Sequence, residues 1–414
     1  MSDAVLELDV RRVGAQGDGV AEGPSGPVFV PYGLPGDRVR AEVAGERGRI
    51  VALVQPSPER VEPECTHFGR CGGCLLQHWS LAPYLSWKRS LVEEALKREG
   101  LEADILPVVD AHGAGRRRVI FHARQYGART VVGFAERKSH AMVALDACPV
   151  LAPSLARALP AAQAVAAALA PRKKPLDLQV IATDTGLDMD VRGSGPLPPA
   201  LLGAVAELAE RFNLARLTRH GELVIQRAAP VLAMGAARVA LPPAAFLQAT
   251  AEGEAVLSAA VRTATEGART VADLFCGVGT FALRLADRAR VHGVESNAAA
   301  VAAMMQASHA PGLKTVSGEA RDLFRRPLMA QELAAFEAVV IDPPRQGAEA
   351  QAHELAHRTP SSKLERLVYV SCNVATFARD ARTLAAGGWR MGPVMPVDQF
   401  RFSPHVELVA GFTR

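Results

Sequence analysis

The sequence predicts an α/β protein built in three parts: a small N-terminal β-barrel, a central α/β segment, and a C-terminal open sheet of Rossmann-like type. Three observations carry that prediction. Residues 1–57 alternate short β-rich runs with Gly and Pro turns, as small closed barrels do. From about residue 241 the pattern changes to strands alternating with helices, which builds a parallel sheet covered on both faces. A chain of 414 residues is also too long for one compact core. The expected divisions are 1–57, 58–240 and 241–414.

Hydrophobic residues make up 49% and charged residues 22%, an ordinary globular composition that excludes disorder and fibre. The opening "MSDAVLELDVRR" has no basic region followed by an apolar run, so no secretory signal is expected. The one long apolar stretch, "LARALPAAQAVAAALA", is mostly alanine and is interrupted by Arg157 and Pro160. It reads as a surface or packing helix, with no membrane span. The expected location is cytoplasmic, where disulfides rarely persist. Net charge is only +4, but the pI is near 8.8 and the basic residues clump. "GRRRVIFHARQYGAR" gathers Arg116, Arg117, Arg118, Arg124 and Arg129 around Phe121, His122 and Tyr126. That mixture suits RNA phosphates and bases, as it also suits a solvated strand face. No obligate protein partner is implied.

Along the chain, "PSPERVEP" (Pro56 to Pro63) reads as a linker after the barrel, and "LVEEALKREG" as an amphipathic helix. Cys65, Cys71 and Cys74 follow a C-x5-C-x2-C spacing, and Cys148 in "DACPV" can supply a fourth thiolate. Four cysteines suit zinc or an iron–sulfur cluster, and a final Cys-Pro is a feature of ferredoxin-like sites. The spacing is not the C-x3-C-x2-C of radical S-adenosylmethionine enzymes.

The C-terminal segment carries the chemistry. "VADLFCGVGTF" runs strand, glycine turn, helix, with Gly277 and Gly279 allowing a ligand close to the backbone and a helix N-terminus behind them. The third glycine of the dinucleotide pattern is missing, and Glu295 ends the next strand where it can accept both ribose hydroxyls. This favours S-adenosylmethionine over a nicotinamide cofactor. "VVIDPPRQG" ends a later strand with Asp342, Pro343 and Pro344. "LVYVSCNVATFARD" places Cys372 between a strand and a helix whose N-terminus can lower the thiol pKa. "RMGPVMPVD" and "HVELVAGF" close the chain as an antiparallel hairpin at the sheet edge.

The stretches "GAQGDGVAE", "VFVPYGLPGDRV" and "GRIVALVQPSPERVEP" resemble a TRAM domain, an OB-like RNA-binding barrel. "SCNVATFARD", "DPPRQG" and "PHVE" together resemble the RNA 5-methyluridine methyltransferases, and the resemblance runs from the TRAM-like start to Glu407. It implies a Rossmann-like S-adenosylmethionine methyltransferase domain, an OB-like barrel and a central domain bearing a 4Fe–4S cluster on Cys65, Cys71, Cys74 and Cys148. It also implies that Cys372 adds to C6 of uracil and that Glu407 removes the C5 proton. Gln248, Phe275, Thr280, Glu319 and Asp342 match family positions at the cofactor, beside Glu295. The chain departs at Val374, where Pro is usual, at Thr250 after the Gln, and in "DQFRFSPHVE". Ribosomal 23S RNA is the expected substrate, with transfer RNA and a non-catalytic iron–sulfur RNA-binding protein as alternatives. A 5-methylcytosine enzyme would carry a cysteine after the D-P-P turn, where Arg345 stands. An amino-methyltransferase would need an aromatic residue there and no nucleophile.

Overall fold

The computed structural model describes residues 4–127, 129–139, 141–169, 175–357 and 359–414. Residues 1–3 of the expected barrel, Ala128 of the basic run and Ala170 of the alanine-rich run lie outside them. Strands Ala4–Val13, Gly19–Gly23, Gly26–Val30, Arg38–Ala44 and Arg47–Gln55 close a barrel in the order first, second, third, fifth, fourth. Alternation makes this possible: from Arg38 the side chains read exposed, buried, exposed, buried, so Val39 and Ala41 join Leu8, Val10, Val28 and Val30 inside.

Asp37 is buried at a turn of the barrel, and its carboxylate accepts the backbone N–H groups of Leu34 (2.6 Å) and Ser57 (2.8 Å). Arg60 donates to both of its oxygens, at 2.7 and 2.6 Å. The stretch Pro56–Pro63 is therefore no free linker but is fastened to the barrel by a hydrogen-bonded ion pair. A second pair, Arg137 with Asp18, ties the barrel to the central segment.

The central segment forms a seven-stranded sheet in the order Glu222–Gln226, Leu214–Arg219, Gly186–Arg192, Leu176–Thr183, Arg118–Tyr126, Arg129–Ala135, Met142–Ala144. The alanine-rich stretch is a packing helix, Ala158–Leu169. Ala158, Ala161, Ala162, Val165 and Ala166 are buried against the sheet core of Phe121, Val132 and Leu178. Their i, i+3, i+4 spacing gives one apolar stripe, and methyl side chains let the helix lie close. Among the described residues no helix is long and apolar enough to cross a membrane.

The C-terminal sheet has eight strands in the order Val316–Ala320, Arg290–Glu295, Thr270–Leu274, Ala338–Ile341, Arg366–Ser371, Glu407–Thr413, Arg390–Asp398, Val109–Asp110. The first five are parallel to one another. The expected closing hairpin forms, but it does not take the edge. Glu407–Thr413 inserts beside Arg366–Ser371, and Val109–Asp110, from well before the sheet, pairs with Val397 and Asp398 as the last strand.

Helix Leu81–Arg98 packs on this sheet as well, with Val92, Ala95 and Leu96 in one apolar cluster with Phe377, Trp389 and Phe412. Its Lys88 is fully buried. It forms an ion pair with Asp398 and donates to the carbonyls of Phe400 (3.2 Å) and His405 (2.6 Å). Three acceptors saturate the ammonium, yet burial still pulls its pKa down to about 8. The helix thus straps the loop that leads into Glu407.

Candidate active site

The C-terminal ends of the parallel strands open onto one cavity of about 520 Å³. In open α/β sheets this edge is where ligands sit. Strand Thr270–Leu274 runs into Phe275, whose φ of +60° is strained for a side chain with a Cβ, and then Gly277 at +55°. The turn throws the Phe275 ring into the cavity wall, 5.3 Å from the ring of Phe324. Gly279 serves packing: a Cβ there would meet Met304 Cγ at 2.7 Å. The helix behind the loop is a single turn, Ala282–Leu285, and the N–H of Ala282 donates to Asp273 at 2.8 Å. Of the N–H groups expected to be free at this helix start, that of Ala282 is therefore taken by Asp273.

Glu295 ends its strand with both oxygens engaged. One accepts Ser296 Oγ (2.9 Å) and the N–H of Asn297 (2.8 Å), and the other accepts the N–H of Gly277 at 3.3 Å. It lines the same cavity as Phe275, Gln248, Asp342, Cys372 and Glu407. Two expected residues do not line it. Thr280 sits behind the loop, its carbonyl accepting Arg284 Nη1 at 2.7 Å. Glu319 stands on the edge strand beside Arg321 (3.6 Å) and His292 (3.8 Å), and Asp322, Leu323 and Phe324 line the wall next to it instead.

Gln248, expected at the cofactor, takes part in a hydrogen-bonded chain that reaches the base candidate. Its Nε2 donates to Asp342 Oδ2 at 3.0 Å, and its Oε1 accepts Gln399 Nε2 at 2.7 Å. Gln399 Nε2 also donates to Glu407 Oε2 at 2.8 Å. Sequence reasoning missed Gln399, because a lone Gln in a loop has no spacing or motif to mark it. It also missed Phe246, Phe400 and Phe324 as wall residues.

Burial pushes the Asp342 carboxyl up to about 7 and Glu407 up to about 8, with the Asp342 charge adding to the second. Cys372 is pushed up to about 11, first by burial and then by the charges of Glu407 and Asp342, while Arg345 pulls the other way. The expected lowering by the following helix does not appear. The Asn373 side chain caps that helix, accepting the N–H groups of Ala375 and Thr376, and burial beside two carboxylates outweighs what remains.

A second cavity, of about 280 Å³, brings Cys65, Cys71, Cys74 and Cys148 together. Its other walls are mostly apolar, with Gln77, Arg116, Arg118 and Arg401 as the polar exceptions. Burial, reinforced by the neighbouring thiols, pushes Cys74 up to about 11 and Cys148 up to about 12. Among the described residues, no group of three or more His, Cys, Asp or Glu side chains is arranged so that it could hold a metal ion. The donor set is four soft thiols in a pocket edged by cations, ligands of the type that zinc and iron–sulfur sites both use.

The basic strand divides its labour. Arg118 lines both cavities, its guanidinium 4.8 Å from the Phe246 ring, and Arg116 lies 5.7 Å from the ring of Phe400. Arg117 is consumed internally, paired with Glu254 and donating to the Gln248 carbonyl at 3.2 Å, so it is not open to phosphate.

Residues 240–412 match the family described as tRNA (uracil-5-)-methyltransferase. A Brucella suis protein described as an uncharacterized RNA methyltransferase is 45% identical, over 99% of this chain and 98% of its own length. The 23S rRNA (uracil(1939)-C(5))-methyltransferase of Chromohalobacter salexigens is 34% identical, over 98% of this chain and 89% of its own. Among solved structures, the Pyrococcus abyssi tRNA (uracil-54, C5)-methyltransferase in complex with S-adenosyl-L-homocysteine shares the fold. Its TM-score is 0.75 at 23% identity, covering 98% of this chain and 99% of that one.

Proposed function

Because the chain belongs to the RNA (uracil-5-)-methyltransferase family, we propose that it transfers the methyl group of S-adenosylmethionine to C5 of a uridine, in 23S ribosomal RNA. One observation carries the reading. Cys372, Asp342, Gln248 and Glu407 stand on the wall of a single cavity whose other walls are Phe275, Gly277 and Glu295. The Glu295 side is the cofactor half, and Oε2, which takes a long bond from Gly277, is the oxygen offered to a ribose hydroxyl. The Cys372 side is the base half, which takes Gln248 and Asp342 with it.

C5 of uracil is a poor nucleophile. Cys372 loses its thiol proton to solvent, its sulfur bonds to C6, and the C5=C6 electron pair moves out to give an enolate. C5 then takes the methyl from the sulfonium as its S–CH3 bond breaks, releasing S-adenosylhomocysteine. Glu407 removes the C5 proton, the double bond re-forms and the thiolate leaves. A carboxyl whose pKa burial raises is a stronger base when ionised, which this step needs. Cys372 rests as a thiol, and Arg345 is the cation that draws it towards the thiolate.

The four-cysteine cavity fits a 4Fe–4S cluster held by Cys65, Cys71, Cys74 and Cys148. A cluster bound there would tie the loop at 65–74 to the turn at 148, beside Arg116 and Arg118. The barrel is the TRAM-like RNA-docking unit, and six cysteines without a disulfide suit the reducing cytoplasm. The substrate is tested by mapping 5-methyluridine in total RNA from a deletion strain. Loss of one such residue from 23S RNA supports the assignment, and loss from transfer RNA alone overturns it.

A further inference from the structure

Gln399 lies fully buried behind the cavity wall, and every polar atom of its side chain is engaged. Its Oε1 accepts the backbone N–H of Ala249 at 2.8 Å, while Nε2 donates to Gln248 and to Glu407. A backbone N–H can only donate, so the atom of Gln399 that faces Ala249 must be oxygen. The nitrogen then faces the other way, with one hydrogen for Gln248 and one for Glu407. Gln248 must meet it with oxygen, leaving its own nitrogen for Asp342 Oδ2. One backbone N–H therefore sets the direction of every hydrogen bond between the two buried carboxylates. Gly253 leaves the room for this: a Cβ there would stand 2.8 Å from Gln399 Oε1 and 2.9 Å from its Cβ.

We infer that Gln399 is a positioning residue for the proton-removal step: it ties down Oε2 of Glu407 with an N–H donor and leaves Oε1 as the oxygen that takes the C5 proton. The inference rests on the reading of Glu407 as the base. The other groups acting on Glu407 are Asp342 and Arg345, with the Cys372 thiol alongside. Without the Gln399 donor the ionised form of Glu407 loses stabilisation, and a higher pH is needed to make the base.

The test is the pH dependence of release of the methylated protein–RNA adduct. Gln399→Met keeps the bulk and removes the three bonds. Release is expected to slow by roughly tenfold to a hundredfold at neutral pH, the worth of one hydrogen bond to a charged group. Its acid limb is expected to move up by about one pH unit or more. Trapping by 5-fluorouridine RNA, which precedes proton removal, stays at the wild-type level. Gly253→Ala displaces Gln399 without altering it and is expected to move the limb the same way, which covers a Met variant that fails to fold. An unmoved limb in the folded variants overturns the inference and leaves Gln399 as packing. Normal turnover by Glu407→Gln overturns the reading of the base instead, so the two failures are distinguishable.

Discussion

Asp273 shows how strongly single side chains are held under this site. It is fully buried, one oxygen accepts the Ala282 N–H, the other has no hydrogen-bond partner among the described residues, and burial pushes its pKa up to about 8. A carboxyl whose pKa rises on folding contributes stability that is fully present below the ordinary carboxylate range and lost as pH rises through the folded value. Wild type is therefore expected to lose stability relative to Asp273→Asn between pH 5 and pH 9, by an amount on the order of a few kcal/mol. Urea midpoints of the two proteins across that range check it, and a difference that does not move with pH contradicts it. At this scale the sequence was readable wherever chemistry needs a rare residue in a fixed phrase, as with Cys372 after its strand or Asp342 before two prolines. It was silent on Gln399 and Phe324, whose importance comes from what folds against them. It also misjudged the Cys372 thiol, because a helix start is visible in the sequence and burial beside two carboxylates is not.

At the scale of elements, the alternation of strands and helices in residues 241–414 was legible because the period of hydrophobicity switches between them, although helices Ala251–Ala264 and Glu349–Ala356 were not read. The exchange of partners between segments was not. Two residues, Val109 and Asp110, finish a sheet whose other strands begin at Thr270, and helix Leu81–Arg98 straps the same sheet through Lys88. A two-residue strand carries no pattern, and a buried lysine in a helix reads as surface until its partner is seen. The cysteine elements give a prediction of their own. Anaerobically purified protein is expected to be brown and to hold about four iron atoms per chain, and Cys148→Ala is expected to bleach it. Iron analysis and visible absorbance decide the matter: colourless protein with one zinc per chain contradicts the cluster.

Taken as a whole molecule, the barrel and the central segment meet at an open cleft of about 330 Å³ lined by Arg47, Arg70, Arg137 and Lys138 with Tyr32. Asp18 holds Arg137 and lies 3.6 Å from Lys138, and Glu136 in the same cleft lies 3.8 Å from Arg70, while Arg47, Arg70 and Lys138 are exposed. If RNA backbone runs there, Arg47→Ala and Lys138→Ala each weaken RNA binding. Each also flattens the slope of log affinity against log salt, by about 0.7 for every phosphate no longer neutralised. Affinity for S-adenosylmethionine should not change. RNA affinity in both variants that matches wild type across a salt titration returns the cleft to ordinary surface. The central claim concerns the larger cavity, where one thiol and one carboxylate act in sequence on the same base. Its most direct test is denaturing gel and mass analysis of Glu407→Gln incubated with substrate RNA and S-adenosylmethionine. The account predicts a covalent protein–RNA adduct that already carries the transferred methyl group and is absent when Cys372→Ala is added to the same chain. Normal turnover without an adduct, or an adduct that survives the loss of Cys372, contradicts it.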